Sequence, residues 1–273
     1  MIQSFQTLPQ HNYNNTMDTY LLTDIQLTIL TLLYRFRFLT STQLQKLLKQ
    51  KTPRLTNYHL KILTSRNYIS KHYTRTLGLG NLPAVYFLAP GSINVLHEKN
   101  DIPLSRLKKI YKEKTRSKQF IDHALFVAEY YLFLLNDSLK INQTLHFFTK
   151  SDLLAHPYMI HPLPDVYFAR VDQKKNTKRY FVEVIDEGAP RFALRKRVEQ
   201  YNDYIEEGKF EEVTKHPFPT ILFICPTVGV MIYLQKHMAR VYDEMSFDDV
   251  SIYVATREGA FAGRWEKVDA EEE

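Results

Sequence analysis

Apolar positions along this chain recur with two different periods, and the switches between them mark the predicted elements. After Thr23-Asp24, a good N-cap pair, Ile25, Ile29, Leu32, Leu33 and Phe36 fall on one face of a helix. Thr40-Ser41-Thr42-Gln43 has the form of a capping box and opens a second helix through Leu44, Leu47 and Leu48. Thr52-Pro53 starts a third, with threonine as N-cap and proline at the first helical position. That helix carries Leu55, Tyr58, Leu60, Ile62 and Leu63. Two strand-like runs follow at 68–75 and 84–88, separated by the turn-rich Gly78-Leu79-Gly80-Asn81-Leu82-Pro83. A further helix is expected after Pro90-Gly91-Ser92, through Ile93 and Leu96.

From Gln119 the pattern changes. A long helix is predicted with Ile121, Ala128 and Leu135 on one stripe, then strands near 144–148, 164–171 and 179–184. Leu194, Val198, Tyr201 and Ile205 share one face of a helix over 191–206. A strand at 220–225, a helix with Met231, Leu234, Met238 and Val241, and a strand at 250–255 complete the series. The runs around Val182 and Ile224 are apolar throughout, as in strands buried on both faces of a sheet. The order α-β-β-β-α-β-α-β predicts a three-layer α/β domain with a central mixed sheet.

Three short helices and a β-hairpin are the order of a winged helix-turn-helix, in which the third helix enters the major groove and the hairpin contacts the backbone. The expected fold is therefore an α+β winged helix followed by a three-layer α/β domain. The predicted divisions are a flexible tail over 1–20, the winged helix over 21–98 and a basic linker over 99–118. The α/β domain over 119–258 and a C-terminal tail over 259–273 complete them.

Charge sharpens this division. The net charge of +6 conceals an asymmetry: residues 1–120 hold 18 Lys and Arg against 5 Asp and Glu, and the remainder hold 18 against 25. A strongly basic half suits a polyanion, and with no basic amphipathic anchor helix, double-stranded DNA is the expected partner. Arg54, Thr56, Asn57, His59 and Lys61 on the third helix, with Lys71, His72 and Arg75 on the wing, are the predicted contacts. Arginine and lysine pair with phosphate or guanine, and asparagine with adenine. No run of eighteen apolar residues occurs, so no membrane span is expected, and no signal peptide is read at the N-terminus. Cys225, the single cysteine, sits in an apolar run and is expected to be buried, which fits a reducing cytoplasm. No Cys/His spacing supports structural zinc, and no P-loop, GxGxxG or GxSxG occurs.

Two acids carry the candidate chemistry. Pro164-Asp165 opens one predicted strand, and Tyr180-Phe181-Val182-Glu183-Val184-Ile185-Asp186 ends the next. Neighbouring strands lie about 5 Å apart, so two such carboxylates can share one Mg²⁺ or Mn²⁺. The arrangement, with Glu129 on the preceding helix, looks like the PD-(D/E)xK nuclease superfamily, a restriction-endonuclease-like fold. That resemblance implies Asp165 and Glu183 as metal ligands, with Asp186 to complete the cluster, and a lysine two residues after Glu183. Ile185 stands there instead, leaving Lys196 or Arg195 on the following helix as the substitute. The competing reading is structural: Asp165 caps a turn and Glu183 pairs with Arg195 or Lys196. His123, on the long helix, reads as a core histidine.

Val85-Tyr86-Phe87-Leu88-Ala89-Pro90-Gly91, His123, Pro164-Asp165, the 180–186 run, Lys196 and Tyr201 together resemble the replication-relaxation family of plasmids and integrative elements. The resemblance implies a winged-helix DNA-binding protein acting in plasmid replication control or processing, with a nuclease-like C-terminal part that is weak or inert. The family's strand ends in Glu-x-Asp; here Glu183-Val184-Ile185-Asp186 is one residue longer. Two other functions stay open at this level: a metal-dependent DNA nickase using Asp165 and Glu183, and a protein-protein interaction module. Replication or mobilisation proteins as partners, and a homodimer, stay open as well.

Overall fold

The computed structural model describes residues 22–72, 83–242, 245, 247 and 250–269. The expected tail over 1–20, Arg75 and the turn at 78–82 lie outside the described residues. Helix α1 (Asp24–Phe36) starts at Thr23, whose hydroxyl accepts from the Gln26 N–H while the Gln26 side chain accepts from the Thr23 N–H. The same reciprocal cap, Thr40 with Gln43, opens α2 (Ser41–Leu47). Helix α3 (Pro53–Ser65) begins on proline, whose missing N–H is one that a helix start leaves unpaired in any case. Strands β1 (Leu39–Thr40), β2 (Ile69–His72) and β3 (Val85–Leu88) form an antiparallel sheet in the order β1-β3-β2. Two-residue β1 is too short to show a period in the sequence.

Chain exit from this sheet depends on Gly91. A Cβ there would lie 2.5 Å from the Asn67 carbonyl oxygen, so only glycine lets the segment after β3 pass the end of α3. Helices α4 (Ser92–Asn100) and α5 (Leu104–Leu107) and a 3₁₀ helix (Lys108–Thr115) follow. The stretch expected as a linker over 99–118 is instead packed into the molecule. Leu107 and Ile110, three residues apart, are buried, and buried Glu113 accepts from Arg37. Its lysines at 108, 109, 112 and 114 point outward.

Helix α6 (Lys118–Lys140) leads into a six-stranded sheet of β4 (Thr144–Thr149), β5 (Val166–Val171), β6 (Thr177–Val184), β7 (Thr220–Cys225), β8 (Ile252–Thr256) and β9 (Glu266–Lys267). Strands β4, β5 and β6 are antiparallel neighbours, β6, β7 and β8 run parallel, and β9 closes the edge antiparallel to β8. Between them lie α7 (Lys150–Leu153), α8 (Arg191–Glu206), α9 (Lys209–Thr214), α10 (Val228–Val241) and α11 (Arg257–Phe261). Val166, Val182, Leu222 and Ile224 face the α6 side, with Val127, Ala128 and Leu134. Tyr167, Phe181, Ile221 and Phe223 face the other side, with Val198 and Tyr201 of α8 and Leu234 and Met238 of α10. The alternation of one strand between two cores explains why these runs are apolar throughout. Each large apolar side chain buried this way contributes roughly 1.5–3 kcal/mol. The result is the expected three-layer arrangement around a mixed sheet.

Two expectations about boundaries fail. The stretch from 259, expected as a tail, holds most of α11 and all of β9, and Ala260 and Val268 are buried. The apolar core of α1–α3 also continues through α6 to the sheet, without a solvated gap. Arg35 of α1 bonds Asp152 of α7 at 2.7 Å and the Phe147 carbonyl, and Thr149 donates to the Arg35 carbonyl at 2.9 Å. Gln43 of α2 donates to the Leu125 carbonyl of α6 at 2.9 Å.

Candidate functional site

The register of three strands assembles the acid cluster. Val166 pairs with both Thr149 and Val182, so Asp165, Lys150 and Glu183 meet at one end of the sheet. Asp165 is 5% exposed and its carboxylate is fully engaged. Oδ1 accepts from Lys150 Nζ at 2.6 Å and lies 2.8 Å from His123 Nε2, and Oδ2 accepts from the Val184 N–H at 2.7 Å. The other ring nitrogen of His123, Nδ1, lies 2.8 Å from Asp186 Oδ1. Glu183 Oε1 accepts from Arg197 Nη2 at 2.6 Å and from the Tyr201 hydroxyl at 2.7 Å. Charge-assisted bonds of this length are the stronger kind.

Three acids thus meet three basic groups, and the cluster is neutral when His123 is protonated. Burial alone would lower the His123 pKa, but the hydrogen bonds and charges of Asp165 and Asp186 outweigh it and raise it to about 8. Burial would raise Asp165, yet Lys150 and His123 hold it well below the ordinary carboxylate range. Lys150 is raised for the matching reason: the Asp165 and Glu183 charges outweigh desolvation. Burial and the adjacent Glu183 push Tyr201 well above its usual value, so it stays a donor. Burial also raises Glu183, against the pull of Arg197.

Several expected roles are redistributed. Lys196 and Arg195 are exposed; the inward member of that triplet is Arg197, which shares the stripe of Leu194, Val198 and Tyr201. Glu129 faces α2, 3.4 Å from Lys46, and the α6 residue at the acids is His123, nearly two turns earlier. His123 is a partly buried bridge between two carboxylates rather than a core histidine among apolar residues. Ile185 is buried in the apolar core. Lys150 was legible only through pairing: it directly follows Thr149, the partner of Val166. Asp165 and Glu183 are too fully bonded to protein cations to fit a divalent ion as arranged. Among the described residues no group of three His, Cys, Asp or Glu side chains is arranged to hold a metal.

The basic helix offers the opposite environment. Arg54, Asn57 and Lys61 of α3 are exposed, at spacings of three and four that place them on one face. Leu55 and Tyr58, apolar though they are, are 42% and 59% exposed. Thr56 and His59, expected to face outward, are buried with Leu60 and Leu63. The helical period accounts for both corrections, since 56, 59, 60 and 63 form the inner stripe. On β2, Lys71 is exposed, whereas the His72 ring stacks on Phe87 at 4.6 Å, so its face is engaged by the protein. Between Asp24 and Glu98 the chain has ten Lys and Arg residues and no acid.

Among the described residues no helix is long and apolar enough to cross a membrane. A search of the curated proteins found no match. A model of the replication-relaxation family matches residues 30–220, from within α1 to the start of β7. The match takes in α3, the acid cluster and α8, well over half of the chain, and the protein belongs to the replication-relaxation family.

Proposed function

We propose that this protein binds duplex DNA through α3 and acts in replication control or processing of a plasmid or other mobile element. Family membership ties it to plasmid or mobile-element replication. The observation that carries the DNA reading is the exposed row Arg54, Asn57 and Lys61 in a segment without acids. On this reading α1–α3 with β1–β3 is a winged helix, α3 lies in the major groove, and Lys71 meets the backbone. Arg54 and Asn57 supply base-edge contacts and Lys61 a phosphate contact. Tyr58 and Leu55 add apolar surface for a thymine methyl or sugar.

On the same reading the six-stranded part is a restriction-endonuclease-like domain kept as a scaffold. Ile185 cannot orient water, and the cations on Asp165 and Glu183 hold the sheet end together. Gel shifts with random-sequence DNA test the first part: a shift that disappears in the Arg54→Ala, Asn57→Ala, Lys61→Ala triple variant is expected. An unchanged shift would remove α3 as the DNA face. A supercoiled-plasmid assay with Mg²⁺ or Mn²⁺ tests the second, with no nicking expected. Nicking abolished by Asp165→Ala would make the protein a nuclease.

A further inference from the structure

A second concave site lies at the other end of the same strands. Its volume is about 860 Å³, within the range of small-molecule sites. Strand register builds one wall: Phe168 pairs with Tyr180 and Arg170 with Lys178, so all four share a sheet face. The Phe168 and Tyr180 rings stack with centroids 4.6 Å apart. Tyr253 of β8 and Trp265 also line the cavity, and both are partly buried. Lys140, Arg170 and Lys178 line it too, against Asp137 as the single acid. Arg170 Nη2 is held by Asp137 at 2.8 Å, while its buried Nε has no hydrogen-bond partner among the described residues.

We propose that this cavity binds a nucleotide, with the base stacked among Tyr180, Tyr253 and Trp265 and the phosphate held by Arg170 and Lys178. The chemistry favours a ligand that is both planar and anionic. Aromatic faces stack on bases of any sequence, and guanidinium and ammonium groups pair with phosphate. A purely apolar ligand would leave Lys140 and Lys178 without a counter-charge, since Asp137 is already held by Arg170. A bare phosphate would leave the rings unused. The nucleotide is either free or an unpaired residue of a single strand; both present the same base and phosphate. The site is separate from the α3 surface and does not depend on the DNA reading of that helix.

Trp265 is the only tryptophan in the chain, so its emission reports on this cavity alone. The full chain carrying Arg54→Ala, Asn57→Ala and Lys61→Ala is titrated with deoxynucleoside monophosphates and, separately, with a short oligothymidylate. A saturable change in emission is expected with at least one. Lys178→Glu and Tyr253→Ala, checked for folding by circular dichroism, should each weaken it by about tenfold. A response to monophosphates identifies a free-nucleotide site, and one to the oligonucleotide alone identifies a single-strand site. No saturable response to either at millimolar concentration overturns the proposal. So does binding that both variants leave unchanged.

Discussion

The two charged regions of this molecule are built to opposite rules. At the sheet end, Asp165, Glu183 and Asp186 are matched group for group by Lys150, Arg197 and His123, at 2.6–2.8 Å. On α3, Arg54 and Lys61 stand exposed in a stretch of chain that contains no acid at all. Internal matching uses a charge up, because a paired, desolvated group has little left to offer a partner. An unmatched exposed charge is available to a polyanion and to its counterions. The comparison teaches that two acids at neighbouring strand ends are not evidence of chemistry until their partners are known.

The strongest way to break the comparison is to remove one side of the matched cluster. Asp165→Ala leaves His123 and Lys150 without their shared acceptor and should cost about 3–5 kcal/mol in urea unfolding. Arg54→Ala should stay within about 0.5 kcal/mol of wild type. A small loss for Asp165→Ala would mean that the cluster is not structural. Next in size is binding: the triple variant of Arg54, Asn57 and Lys61 should bind duplex DNA about 10–100-fold more weakly, by anisotropy, with stability kept.

The pH dependence comes third. His123 is raised in the folded state, so its contribution is fully present below its unfolded value near 6.5 and is lost as pH rises through about 8. That loss amounts to about 2 kcal/mol, and His123→Gln should flatten the stability profile over this window. An unchanged profile in the variant would detach His123 from the cluster. The smallest effect separates neighbours on α8. Lys196→Ala should be nearly neutral, within about 0.5 kcal/mol, whereas Arg197→Ala should approach the cost of losing Asp165.

Much of the fold was legible because the helical and strand periods are strong here. The N-cap pair at Thr23-Asp24, the capping box at Thr40 and the apolar runs of β6 and β7 correspond closely to observed elements. What stayed hidden depends on tertiary pairing or on phase. Strands β1 and β9, of two residues each, exist only through their partners. Asp165 and Glu183 could be placed together from strand order, but Lys150 follows from the β4–β5 register, which no local pattern encodes. Arg197 lies three residues after Leu194 and four before Tyr201, so its place on the apolar stripe is legible in the helical period, although its charge suggests a solvent-facing residue like Arg195 and Lys196. On α3 the helical phase likewise buries Thr56 and His59 and leaves Leu55 and Tyr58 exposed, against what residue type alone suggests. The segments at 99–118 and from 259 read as a linker and a tail because their charge masks a few buried apolar residues, among them Leu107, Ile110, Ala260 and Val268.

The most direct test of the matched-versus-unmatched account is duplex affinity measured against salt for wild type and the α3 triple variant. Affinity should fall steeply with rising salt, and removing Arg54 and Lys61 should lower the slope of log K against log salt by up to about 2. An affinity insensitive to salt, or a slope identical in the two proteins, would contradict it.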